Sequence, residues 1–220
     1  MNSGPVRTLV YVDGFNLYHG ALKRASPGYR WLDLKAMVGS IIHSNHRIDG
    51  VYYFTAWIRT DGQNDNSLSH QKIYVKALEN YITNFNYRLG HFISKKTRAK
   101  PVDGSLGHSV QIWDMEEKGS DVNLASRMIS DAFQDNFDCA IIVANDGDYA
   151  EAIRVVKQEA GKTVGVILPL SHPDRTQSRK ASQALYKEAS FVRSLRTPAI
   201  YKSQLPDPIP GTHIYKPAHW

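Results

Sequence analysis

The stretch IIVANDGDYAEAIRVVKQEAGKTVGVI, residues 141–167, decides the fold class. It opens on a run of apolar and β-branched residues that extends back to Asp138, as a strand covered on both faces requires. The run breaks at Asn145-Asp146-Gly147-Asp148. A helix is predicted from Tyr149 to Ala160, and a second apolar strand from Thr163 to Leu168. A strand, a helix and a strand in this order make a βαβ unit, and such units build parallel sheets.

Working towards the N-terminus, the same grammar repeats. Arg7 to Val12 (RTLVYV) is a buried strand ended by Asp13-Gly14, and FNLYHGALKRA then has Phe15, Tyr18 and Leu22 at helical spacing. A helix fits Leu34 to Ile42 with Asp33 as its N-cap. Further predicted elements are a strand over Val51–Ile58, a long helix over Leu68–Phe85 and a strand near Tyr87–Ser94. Lys95 to Gly107 is basic and punctuated by Gly and Pro, which predicts a loop or hairpin. A strand over His108–Met115, a helix over Val122–Phe133 and a last helix over Arg175–Ala189 complete the domain. The expected architecture is an α/β three-layer sandwich, a mainly parallel sheet flanked by helices, over residues 1–195. From Arg196 onward five of the ten prolines crowd into the tail. Residues 196–220 are therefore expected to be an extended C-terminal tail that cannot continue the sheet. Its Ile209, Ile214, Tyr215 and Trp220 are apolar enough to dock on the domain or on a second copy in a homodimer.

Bulk composition narrows the class. At 220 residues with 42% hydrophobic and 22% charged residues, the chain has material for one full core. No run of about 18 apolar residues exists, so a membrane-spanning helix is excluded. Cys139 is the one cysteine and lies within an apolar run, which rules out a disulfide framework. A cytoplasmic location is the default expectation. The net charge of +6 favours approach of a polyanion without naming one.

Acids stand where strands end or helices begin: Asp13 after the first strand, Asp121 in EEKGSDVNLA, and Asp146 with Asp148 in the opening stretch. Taken singly, each is an ordinary cap or turn residue. As a set they occupy the edge where open parallel sheets bind ligands. Two carboxylates about 4 Å apart repel by roughly 4 kcal/mol at an effective dielectric near 20, so gathering four calls for a cation or bound protons. Oxygen donors without His or Cys partners select Mg²⁺ or Mn²⁺. Lys95, Lys96 and Arg98, and further on Arg175, Arg179 and Lys180, could guide a phosphate backbone towards such a site. Tyr18 and Tyr149, near the acidic edge, are read as core aromatics, and His43 and His46 as surface residues.

YVDGFNLYHG (11–20), EEKGSDVNLA (116–125) and residues 141–167 together resemble the NYN family, a branch of the PIN-like nucleases that includes a LabA-like bacterial group. The resemblance implies a Mg²⁺- or Mn²⁺-dependent ribonuclease acting on single-stranded RNA. Asp13, Asp121, Asp146 and Asp148 would be its metal-binding and catalytic acids. Asn16 and Lys118 match further family positions, and with Arg127 and Asn145 they are expected to contact RNA. Two positions depart from the pattern: Ala144-Asn145 replaces a common Ser-Gly, and Arg127 stands where many relatives carry an acid. These departures motivate a second expectation, a non-catalytic RNA-binding module. Part of the resemblance runs to a sub-branch with members described as hydroxylases of a succinoylpyridine, which implies an NADH-dependent hydroxylase of a pyridine compound as a third. The sequence carries no GxGxxG motif for a dinucleotide.

Overall fold

A computed structural model of the chain describes residues 4–23, 28–59, 66–101, 109–169, 181–218 and 220. Its elements in chain order are β1 (Val6–Asp13), α1 (Gly14–Leu17) running into a π-helical turn (Tyr18–Leu22), α2 (Leu34–Gly39), β2 (His46–Thr55), α3 (Ser67–Tyr81), β3 (Phe85–Leu89), β4 (His91–Ala99) and β5 (Val110–Lys118). Then follow α4 (Ser120–Phe133), β6 (Cys139–Val143), a 3₁₀ turn (Gly147–Tyr149), α5 (Ala150–Gln158), β7 (Thr163–Leu168), α6 (Gln183–Glu188), β8 (Phe191–Ser194) and α7 (Thr197–Lys202).

Six strands form one sheet in the order β3-β2-β1-β6-β7-β8, and every neighbouring pair is parallel. The chain builds outward from β1 in one direction and then, from β6, in the other. Strand order therefore reverses between β1 and β6, the place where open α/β sheets leave a crevice at their carboxyl edge. Side chains alternate across the sheet. On β1, Val10 and Val12 join a core with Leu22, Met37, Tyr74 and Leu78, while Leu9 and Tyr11 join one with Leu124, Met128, Ile153 and Leu185. β6 is buried along its whole length because both faces are covered. The three-layer α/β sandwich read from the sequence is the observed fold.

Three local expectations change. The first helix is short, and it loosens into a π turn where Gly20 lies so near the Pro169 carbonyl that a Cβ would sit 2.2 Å from that oxygen. The strand expected at Tyr87–Ser94 divides at Gly90, which gives one half to the main sheet and the other to a separate antiparallel ribbon of β4 and β5. Gly90 permits the pivot because a Cβ there would meet Glu117 Oε1 at 2.0 Å. The basic run from Lys95 to Ala99 is thus strand, and residues 102–108 lie outside the described region. Of the last predicted helix, Gln183–Glu188 is helical, whereas residues 170–180, with Arg175, Arg179 and Lys180, are outside the described residues.

The tail is the third. It begins with helix α7 and then lies against the domain: Leu205 N donates to Trp31 O at 2.8 Å, and Trp31 Nε1 donates to Pro206 O at 3.0 Å. Ile200, Leu205 and Ile209 are buried in the same core as Val10 and Met37. Docking of Ile209 and Trp220 on the domain agrees with the apolar reading of those residues.

Candidate functional site

β1 ends at Asp13, whose extended backbone lets its carboxylate cap α1. Oδ1 accepts from Asn16 N at 2.9 Å, and Oδ2 accepts from Asn16 Nδ2 at 2.6 Å. Asn16 then reaches across the reversal point, since its Oδ1 accepts from Asn145 N at 3.1 Å just beyond β6. Asn145 Oδ1 in turn accepts from Ser182 N at 2.9 Å. Asn16 and Asn145, expected to touch RNA, thus clamp the tips of β1 and β6 and hold Asp13 in place.

Asp121 arrives from α4. Gly119, at φ +97°, takes the left-handed turn that starts this helix, and Ser120 is fixed by Glu117. That places Asp121 in the first helical turn, where the positive end of the helix dipole favours an anion. Its role is not capping. Tyr149 Oη lies 2.7 Å from Asp121 Oδ1 and 2.9 Å from Asp13 Oδ2.

One hydroxyl carries one proton, so it can donate to only one of these two carboxylates at a time. Among the described residues neither acid has an ion-pair partner. Burial pushes the Asp13 carboxyl up to about 6, with the Asp121 charge adding to the rise and the Asn16 and Tyr149 hydrogen bonds opposing it. Burial and both acids also raise Tyr149 well above a usual phenol. Tyr149 is buried in the core, as read from the sequence; what that reading left out is its hydroxyl joining the two acids, although its place immediately after Asp148 was visible.

Asp146 and Asp148 stand on the same edge after β6, but the four-aspartate cluster is assembled only in part. Asp146 caps the 3₁₀ turn, its Oδ1 accepting from Asp148 N at 3.1 Å, and Asp148 is exposed. Among the described residues no three His, Cys, Asp or Glu side chains are grouped to hold a metal ion. The donor chemistry still fits a hard cation, because the acids at this edge offer oxygen only and the two that meet have no cation beside them among the described residues.

The basic residues are also accounted for. Arg127 does not face Asp121: its Nε donates to Asp131 Oδ2 at 2.7 Å and its Nη2 to Tyr52 Oη at 2.9 Å, with the guanidinium over the Tyr52 ring. Asp131, almost wholly buried inside α4, also accepts from Tyr11 Oη and Asn136 Nδ2, so Arg127 belongs to a structural network. Lys95 and Lys118 both pair with Glu116. In the β4–β5 ribbon, directly opposed residues share a face. One face carries Phe92, Lys96 and Arg98 with Met115 and Trp113. Phe92 meets Phe15 edge-on at 5.8 Å, which sets the base of that face beside Asp13. Trp113 is 66% exposed and lies under Lys96.

The chain matches the model of the NYN domain over residues 7–195. It is 32% identical, over 246 aligned positions covering 100% of this chain and 77% of the relative, to 6-hydroxy-3-succinoylpyridine 3-monooxygenase HspA of Pseudomonas putida (strain DSM 28022 / S16). Among solved structures it resembles a protein of unknown function from Vibrio parahaemolyticus RIMD 2210633, with TM-score 0.52 and 17% identity over 89% of this chain and 96% of that one, a likeness of fold alone. With a family model covering most of its length and the matching acids at the sheet's reversal point, this chain belongs to the NYN domain family, within the PIN-like nuclease superfamily.

Proposed function

We propose that this protein is a divalent-metal-dependent ribonuclease acting on single-stranded RNA. The observation that carries the reading is the meeting of Asp13 and Asp121 on the Tyr149 hydroxyl, two carboxylates from distant segments with no cationic partner among the described residues. Mg²⁺ or Mn²⁺ would be held by Asp13 and Asp121, with Asp146 and Asp148 completing the set. The cation, when bound, supplies positive charge to the scissile phosphate and lowers the pKa of a water.

The chain's own groups do the rest. Asn16 and Tyr149 fix the orientation of Asp13. A carboxylate of the set not engaged by the cation would accept the proton that the attacking water loses. As the water oxygen bonds to phosphorus, the bond to the leaving ribose oxygen breaks, and that oxygen takes up a proton. The ribbon face beside Phe15 supports strand approach, with Lys96 and Arg98 facing phosphates and Trp113 offering a ring to a base.

The test is cleavage of a labelled single-stranded RNA by the purified chain with Mn²⁺ or Mg²⁺, against the same reaction in EDTA. Asp121→Asn should lower the rate on the order of a hundredfold or more while preserving the fold. An RNA that stays intact under all metal conditions refutes the reading, and RNA binding without turnover would instead identify a non-catalytic module.

The identity to HspA favours a second reading, an NADH-dependent hydroxylase of a pyridine compound. Substrate-dependent NADH oxidation by this chain would support it, and its absence alongside RNA cleavage would remove it.

A further inference from the structure

On the face of the sheet opposite Tyr149, a cavity of about 170 Å³ opens next to Gly14 and Phe15. Five of its walls are aromatic: Phe15, Tyr18, Tyr53, Tyr74 and Trp220. The floor is rigid because its polar groups are already committed. Tyr74 Oη donates to Leu32 O at 2.7 Å. Gln71 accepts from Ile58 N at 3.0 Å and donates to Ala56 O at 2.9 Å. Trp220, carried in by the docked tail, forms the outer wall against His70 and Tyr74, with ring centroids 5.7 and 6.0 Å apart.

One arginine, Arg30, lines this cavity. The Arg30 guanidinium lies 5.8 Å from the Tyr18 ring centroid, and it makes a single long hydrogen bond of 3.4 Å to Lys23 O. It has no carboxylate partner among the described residues, and its Nε finds no acceptor. Trp220 Nε1, in the same wall, also lacks an acceptor. An arginine among aromatic rings, with no carboxylate partner among the described residues, has a defined complement: flat π-systems for the rings and an oxyanion for the guanidinium.

We propose that this cavity binds a flat aromatic ring carrying an anionic group, with the ring held among Phe15, Tyr18 and Trp220 and the anion on Arg30. Two sources share that chemistry, a free aromatic carboxylate and a nucleotide. Occupancy does not depend on phosphodiester cleavage, so the site stands or falls apart from the nuclease reading.

Calorimetric titration of the full chain in EDTA tests it, with three probes: nicotinate, its neutral isostere nicotinamide, and uridine 5′-monophosphate. At least one anionic probe should bind at millimolar concentration or below, with nicotinamide weaker than nicotinate by on the order of tenfold where the free acid is the ligand. Binding of nicotinate alone assigns the site to free acids, and binding of the nucleotide alone to nucleotides. Arg30→Gln should remove the anion's advantage, and Arg30→Lys should restore part of it. Melting curves of both variants establish that they fold, and the acid-versus-amide comparison on the wild-type chain holds if they do not. If neither anion binds, if the amide binds as tightly as the acid, or if folded Arg30→Gln binds the anion unchanged, the proposal is overturned.

Discussion

Replacing Asp13 with Asn should make the metal-free protein more stable near neutral pH while removing activity. The Asp13 carboxyl rises from an ordinary value of about 3.9 to about 6 on folding, chiefly because it is buried. Below about pH 4 it is protonated in both folded and unfolded chains. Between about pH 4 and 6 the folded chain keeps a proton that the unfolded chain releases, so stability falls as pH rises, and above 6 the loss is complete. A gap of about two pH units corresponds to about 3 kcal/mol. Asn keeps the shape without the charge, but its amide cannot accept from both Asn16 N and the Asn16/Tyr149 side, which costs about 1 kcal/mol. The net gain at about pH 8 is therefore about 2 kcal/mol, or roughly 4–8 °C in Tm for a chain of this size. Urea or thermal denaturation in EDTA at about pH 8 and pH 4.5 measures it, and the advantage should shrink towards the acid end. A variant less stable than the parent at pH 8, or equally favoured at both pH values, would refute the account of Asp13 as an uncompensated buried anion. Adding Mn²⁺ should stabilise the parent and not the variant, as ligand linkage requires.

Other perturbations probe neighbouring parts. Tyr149→Phe deletes the hydroxyl shared by Asp13 and Asp121, so Asp13 should titrate above 6 by carboxyl ¹³C NMR and stability at neutral pH should fall by about 1–3 kcal/mol. Arg127→Ala leaves the buried Asp131 with Tyr11 and Asn136 but no cation, and should cost about 3–5 kcal/mol in urea denaturation; RNA affinity at matched folded fraction should not change. Asp138→Asn, by contrast, breaks a half-exposed pairing with Arg7 and should cost no more than about 1 kcal/mol, less at high salt. Trp113→Ala on the ribbon should weaken oligonucleotide binding in EDTA by about tenfold without lowering Tm, as expected for a stacking platform.

Long-period patterns were legible in the sequence. Residues 138–168 announce strand, helix and strand because burial on both faces leaves an unbroken apolar run, and the structure follows it closely. Asp13 and Asp121 could be paired in advance because each sits at an element's end. Details that depend on which partner competes for a side chain could not. Asp146 is drawn into a local turn with Asp148 N. Arg127 faces an acid within its own helix rather than a ligand, and a tyrosine hydroxyl occupies the space between two acids. The division at Gly90 was equally hidden, since alternation continues across it and only the close approach of Glu117 turns the chain.

The docking of residues 196–220 has a practical consequence. The match to the NYN model ends at residue 195, yet Trp31, Leu32 and Met37 are covered with the help of Leu205, Ile209 and their neighbours. The border of the shared domain pattern therefore falls inside the packed unit. An expression fragment trimmed at residue 195 would leave those side chains facing water, a greasy seam that invites self-association.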